Sequence, residues 1–89
     1  MTTMDYYPTQ YPTPLIAVDE LRYQLFDAKG ERVARLVKAM KEGRTLDPIR
    51  VTPPGDDGTR VVIDGGHRVA AAKILGHSHV PAIVVKSGE

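Results

Sequence analysis

Asp64-Gly65-Gly66-His67-Arg68 lies between a β-branched run, Val61-Val62-Ile63, and a helix-forming run, Val69-Ala70-Ala71-Ala72-Lys73-Ile74-Leu75. A chain that passes from a strand through two glycines into a helix presents backbone N–H groups that have no intrahelical partner. Those donors, with the positive end of the helix dipole, favour an anion, most often phosphate. Arg68 adds a planar guanidinium fork suited to phosphate oxygens. The stretch therefore reads as a phosphate-handling loop, with Gly65, Gly66, His67 and Arg68 as its contacts. Each part also has a plainer reading. The glycines would serve a tight turn with positive φ, and Arg68 would form a surface ion pair with Asp64 or Asp47, worth about 0–1 kcal/mol.

The rest of the chain supplies the frame for such a loop. Its 89 residues allow one domain with a small core. Residues 1–14 repeat Tyr-Pro-Thr at Tyr7 and Tyr11 and carry Pro8, Pro12 and Pro14. Proline removes ladder donors and favours polyproline II, so this span is expected to be an extended, loosely packed arm. Leu15 to Leu21 reads as a first strand, followed by a loop that carries Tyr23 and Phe26 towards the core. Val33, Leu36, Val37 and Met40 recur at i, i+3, i+4 and i+7, which predicts an amphipathic helix over about 30–42. Asp27 is a candidate cap for it, and Gly43 is placed to end it.

Ile49-Arg50-Val51 predicts a second strand, and the turn formers from Pro53 to Thr59 return the chain into a third, Arg60 to Ile63. A second helix is expected over about 67–75, stopping at Gly76. A last strand follows over about 80–85, with Pro81 marking an edge position or a strand start. The order β-α-β-β-α-β makes a small α/β (α+β) domain over residues 15–86, with two main helices on a mixed sheet and a tail at 87–89.

Composition narrows the chemistry. With no cysteine there is no disulfide, thiolate metal site or cysteine nucleophile. A net charge of +1 gives no global pull towards nucleic acid or membrane. No apolar run nears the ~20 residues that span a bilayer, and no signal peptide opens the chain, so a soluble cytoplasmic protein is expected.

From about Ile16 to Val85 the sequence resembles the ParB/sulfiredoxin-like superfamily. The pieces arrive in that family's order: Val-Asp-Glu-Leu, a helix ending Met40-Lys41-Glu42-Gly43, Leu46-Asp47-Pro48-Ile49-Arg50-Val51, the Asp64 to Lys73 stretch, then Leu75-Gly76 and Val80 to Val85. In partition proteins of the ParB type a Gly-x-x-Arg loop binds the phosphates of a nucleotide, usually CTP; Gly65 and Arg68 match it. Those proteins also carry a further nucleotide-contacting helix, a DNA reader and a dimerisation region. The sequence stops at Glu89 without them, so autonomous DNA partitioning is not expected of it.

Free-serine kinases of the superfamily read Asp-Gly-His-His-Arg. Asp64, Gly65, His67 and Arg68 match, while Gly66 replaces the first histidine. Sulfiredoxins read Gly-Gly-Cys-His-Arg, and here Gly66 stands where their reactive cysteine would be. Sulfiredoxin chemistry is therefore excluded. The resemblance implies a ParB-like domain that binds ATP, CTP or a related nucleotide, with Mg²⁺. Hydrolysis or phosphoryl transfer would follow, in a DNA-linked or regulatory setting such as plasmid or phage biology.

Roles follow for individual side chains. Asp64 would hold Mg²⁺ or orient an attacking hydroxyl, since phosphoryl transfer needs positioning and charge neutralisation above all; alternatively it caps the second helix. His67 would meet the transferring phosphoryl group or substrate, or make one structural hydrogen bond. Arg50 on the preceding strand is a second phosphate contact. His77 and His79 lack a third ligand and read as surface loop residues.

Residues 29–44 hold six basic and two acidic side chains. Arg32, Arg35, Lys38 and Lys41 fan over the side opposite Val33 and Met40. That face would follow a DNA backbone or meet an acidic protein, or simply be solvated. Two readings thus compete with nucleotide binding: an interaction module using this helix and the Tyr-Pro arm, and a small-molecule kinase. A homodimer through an exposed sheet edge is a further expectation.

Overall fold

The computed structural model describes residues 5–23 and 30–86. The expected Phe26 contact and Asp27 cap, together with Lys29 and the tail at 87–89, lie outside the described residues. The elements are β1 (Leu15–Ala17), a 3-10 turn (Val18–Glu20), β2 (Leu21–Arg22), α1 (Glu31–Lys41), β3 (Ile49–Val51), β4 (Arg60–Asp64), α2 (Gly66–Ile74) and β5 (His79–Val84). The mixed α/β architecture with two helices is as the pattern predicts. One difference concerns the first strand, which is two.

Ile16, Val18 and Leu21 are all buried, a spacing that breaks the period of 2 an unbroken strand requires. The chain meets that demand with a turn at Val18–Glu20, closed by the Leu21 amide donating to the Val18 carbonyl. The sheet order is β1-β5-β3-β4-β2, so this turn joins the two edges of a five-stranded sheet. Three residues reach only about 10 Å, whereas five flat strands are about 19 Å wide. The sheet must therefore curl, and it does so around the helices.

β3 runs antiparallel to β4 and parallel to β5, which in turn runs antiparallel to β1. Pro81 therefore sits on an inner strand, near its start, rather than at an edge. The arrangement tolerates it because β3 pairing begins only at Ile49 opposite Ala82, one residue later. The Ala82 amide points the other way, to the Pro14 carbonyl at 2.9 Å.

Val33 and Met40 of α1 and Val69 to Ala72 of α2 meet Ile49, Val51, Val80 and Ala82 of the sheet in one core. Three consecutive alanines explain how α2 can be buried so widely: it fits between α1 and the sheet without large side chains. Gly43 and Gly76 follow the helices with φ of 75° and 77°, as the stop signals imply. Tyr23 packs half-buried, with the Lys73 ammonium 5.3 Å from its ring centre. No described helix is long and apolar enough to cross a membrane.

Expectation and structure part at the arm. Residues 5–14 bend at Asp5–Tyr6 and at Gln10–Tyr11 and are not loose. The Asp5 carbonyl accepts from the Ser78 and His79 amides, and the Pro8 carbonyl accepts from Leu46 at 3.0 Å. Tyr7 is 1% exposed, and its hydroxyl donates to the Asp47 carbonyl at 2.9 Å. Proline removes donors but leaves carbonyls, and the arm docks mainly through those carbonyls and one aromatic ring.

Deleting residues 1–14 should consequently lower the thermal midpoint by at least about 10 °C. Emptying an aromatic site alone costs about 3–5 kcal/mol, and each kcal/mol shifts a domain of this size by about 4–8 °C. Thermal melts followed by circular dichroism check this; an unchanged midpoint would show the arm to be ornamental.

Candidate functional site: a basic cleft at the start of the second helix

Gly65 closes β4 and is the N-cap of α2, with φ of 108°, a left-handed backbone that only glycine adopts easily. A Cβ there would lie 2.6 Å from Ile49 Cγ2 and 2.9 Å from Arg68 Nη2. Gly66 is the first helical residue and its φ is not positive, so the turn geometry requires one glycine, not two. The first helical bond runs from the Val69 amide to the Gly65 carbonyl at 3.1 Å, and no side chain caps the helix. Asp64 is thus not the cap. The amides of Gly66, His67 and Arg68 are the donors that a helix start leaves open.

Arg68 is not a loose surface group. Its side chain is 19% exposed, and its Nε is buried without a partner among the described residues. Its Nη2 lies 3.4 Å from an Asp64 carboxylate oxygen, a long contact with an acid that is itself 67% exposed. Asp64, at the end of β4, thus remains open to other partners. Tyr7 lies within electrostatic reach of both Arg68 and Asp47. Burial pushes its phenol up to about 12, an effect that the Arg68 charge opposes and Asp47 reinforces.

The cleft in front of the loop has a volume of about 380 Å³ and is lined by Arg32, Arg35, Leu36, Asp64, Gly65, His67 and Arg68. An adjoining polar hollow is formed by Glu31, Arg32, Arg35 and His67. The helix packing therefore joins two features that the sequence presents separately. Arg32 and Arg35 belong to the glycine-loop cleft, whereas Lys38 and Lys41 are exposed outside its lining. Arg35 holds Glu31 at 2.8 Å, an exposed i, i+4 pair that an incoming anion can displace at little cost. A signal was available in the sequence: Arg32, Arg35 and Leu36 share one face at i, i+3 and i+4.

Arg50 is placed differently from its expected role. It is directly opposite Asp64 in the β3–β4 register and exposed, but it does not line the cleft. His77 is half-buried rather than a surface residue. Its Nδ1 is buried without a partner among the described residues, and burial holds its pKa below the ordinary histidine value, against the pull of Asp5. His79 opens β5, with its Nδ1 2.8 Å from the Ser78 hydroxyl. Among the described residues no three His, Cys, Asp or Glu side chains gather in a metal-binding group.

Comparison with known proteins bears on this geometry. Two curated relatives are ATP-dependent L-serine kinases. The one from Desulfurococcus mucosus is 40% identical over 83 residues, and that from Staphylothermus marinus is 41% identical over 80. Each match covers 88% of this chain but only 31% of the relative. Among solved structures, Caulobacter crescentus ParB complexed with CTP-γ-S superposes with a TM-score of 0.69 at 23% identity, covering 89% of this chain and 47% of that one. A free serine kinase with AMP gives 0.68 at 22%, over 89% of this chain and 33% of the kinase. Arabidopsis thaliana sulfiredoxin gives 0.66 at 21%, over 86% and 88% of the two chains. These likenesses establish a shared fold. The family model for the ParB N-terminal domain matches residues 13–89, and the chain belongs to that family, within the ParB/sulfiredoxin-like superfamily.

Proposed function

We propose that this domain binds the phosphate chain of a nucleotide of the ATP or CTP class in the cleft at the start of α2. One observation carries the reading: Gly65, His67 and Arg68, at a helix start whose first amides have no intrahelical acceptor, line one cleft with Arg32 and Arg35, whereas Gly66 is not part of the lining. Backbone donors and a helix dipole suit one phosphate, and the two α1 arginines give a second phosphate oppositely charged neighbours. The relatives support the same ligand class, the kinases being ATP-dependent and the ParB structure holding CTP-γ-S. Arg50 would reach the ligand only from beyond the cleft rim.

Mg²⁺ fits the site as a partner of the ligand. Magnesium is commonly held by one or two carboxylates plus phosphate oxygens, and Asp64 is the exposed carboxylate beside the loop. It would there neutralise charge on the phosphate chain.

The 40% identity to L-serine kinases favours phosphoryl transfer as a second reading. A substrate hydroxyl oxygen would bond to the γ-phosphorus, the bond from that phosphorus to the β-bridging oxygen would break, and ADP would leave. The hydroxyl proton would pass to Asp64 or His67, the two proton acceptors in the cleft. The reading as a DNA- or protein-binding module keeps Lys38, Lys41 and the exposed Tyr11 as its surface. It has no claim on Arg32 and Arg35 that the cleft does not share.

Calorimetry with ATP, CTP, ADP, AMP and pyrophosphate, each with and without Mg²⁺, tests the proposal. Di- and triphosphates should bind at least about tenfold more tightly than AMP, a difference of about 1.4 kcal/mol. Heat-silent titrations throughout would refute nucleotide binding. Phosphoserine formed from serine and ATP, read by ³¹P NMR, would establish the kinase reading.

A further inference from the structure

We infer that the outer face of the sheet, turned away from the two helices, is a docking surface for a second copy of this chain. This surface is independent of the ligand proposed for the cleft. Register fixes which side chains the face carries. Ile49 and Val51 of β3 are buried in the core with the helices, so Arg50 between them points outward and is exposed. Its partners in register are Ile83 of β5 and Asp64 of β4, with Ile63 at the register shift beside it. Val61 is opposite the exposed Arg22, and Leu15 is opposite Pro81, two residues before Ile83. Leu15, Ile83, Val61 and Ile63 are 42%, 48%, 53% and 53% exposed.

That composition is not what a wet face requires. A sheet with one side in water alternates apolar and polar residues, whereas strands covered on both sides read as continuous apolar runs. β4 carries Val61-Val62-Ile63, and β5 carries Val80-Pro81-Ala82-Ile83-Val84, which is the second pattern. The arm already covers one corner of the outer face. Pro81 is fully buried there and lines a hollow with Tyr7 and Pro8. The aliphatic side chains beyond that corner have no such cover among the described residues.

Charge selects the occupant. Arg50 stands in the middle of the patch with Asp64 opposite it in register, yet no ion pair joins them. Among the described residues Asp64 has only its long contact with Arg68, and Arg50 has no ionic partner. An apolar face that bears a free cation beside an open acid is complementary to itself. A twofold axis would set each Arg50 against Asp64 of the second copy and bring the aliphatic side chains together. A net charge of +1 leaves little repulsion between copies. Edge pairing is the poorer route, because β1 has three residues and β2 only two. The curled sheet presents a convex face, so the contact is small and the dimer weak, with a dissociation constant of about 10–500 µM.

Sedimentation velocity of the full chain from about 10 µM to about 1 mM should show the average mass rising from monomer towards dimer. Ile63→Lys and Ile83→Lys should each stay monomeric over that range and keep the wild-type circular dichroism, since both side chains are about half exposed. Arg50→Glu alone and Asp64→Lys alone set like charges across the axis, and each should weaken association at least about tenfold. An equimolar mixture of those two variants restores both ion pairs and should associate within about threefold of wild type. One readout needs no variant: in a mixture of ¹³C-labelled and unlabelled wild type, isotope-filtered NOEs should connect the Ile63 and Ile83 methyl groups to the second copy.

A wild type that remains monomeric throughout would overturn the inference and leave the face to a different partner. So would a dimer that survives Ile83→Lys, or a mixture no tighter than its components. Should a variant fail to fold, the filtered NOEs decide: contacts at Ile63 and Ile83 support the face, and contacts confined to β1, β2 or the helices refute it.

Discussion

Gly65→Ala should destabilise the domain by about 2–6 kcal/mol, removing a large part of its stability at 25 °C. Two independent penalties meet at this position. The backbone φ of 108° lies where L-residues are strained, at a cost of about 1–3 kcal/mol. The new Cβ would come within 2.6 Å and 2.9 Å of Ile49 carbon atoms, and overpacking of this kind costs about 1–3 kcal/mol more. Ile49 is fully buried on β3 and cannot yield without moving the strand. A small domain has only some 5 kcal/mol or slightly more to lose. Gly66→Ala lacks the backbone penalty and should stay within about 1 kcal/mol of wild type. Urea unfolding of both variants measures the contrast. A Gly65→Ala protein as stable as wild type would mean that the loop can relax away from β3.

The largest effect on binding should come from Arg68→Ala. A hydrogen bond to a charged partner is worth about 1.5–3 kcal/mol, so losing a forked contact should weaken Mg²⁺–ATP at least about 100-fold. Arg68→Lys separates charge from shape: it keeps the cation and loses the fork, and should recover only part of the affinity. The comparison requires that each variant be folded, since the Arg68 side chain is mostly buried. Calorimetry, with circular dichroism as the folding control, decides it. Wild-type affinity in Arg68→Ala would remove the guanidinium from the site.

Much of this was legible in the residues themselves. Both helices and their glycine stops follow from apolar spacing and turn chemistry, and β3 and β4 follow from β-branched runs between turn formers. The loop was legible too, because a β-branched run, a glycine pair and an alanine-rich run leave few alternatives. Three features were not. The break at Val18–Glu20 answers to sheet closure, a property of the whole sheet that no local window contains. Tyr7 was hidden by its prolines: local composition describes how a segment behaves alone, and the Asp47 carbonyl that receives it lies 40 residues away. Arg32 and Arg35 were assigned to a separate face because helical periodicity gives direction around one helix, not which end of a neighbour it meets. The α1–α2 packing places them beside the loop.

The pairing of a basic α1 face with the α2 start also changes how the charge of this domain should be read. A net charge of +1 conceals a cleft in which three arginines and a histidine face Asp64 and Glu31. Local concentration of cations at open amides, not overall charge, is what would draw a polyphosphate.

An amide titration would examine the helix start itself. Pyrophosphate is added to ¹⁵N-labelled protein, and the Gly66, His67 and Arg68 backbone signals are followed. The account predicts that these three amides shift downfield together, with Arg32 and Arg35 side-chain signals moving at the same ligand concentration. Saturable shifts elsewhere with those three unmoved, or no saturable shift at all, would contradict it.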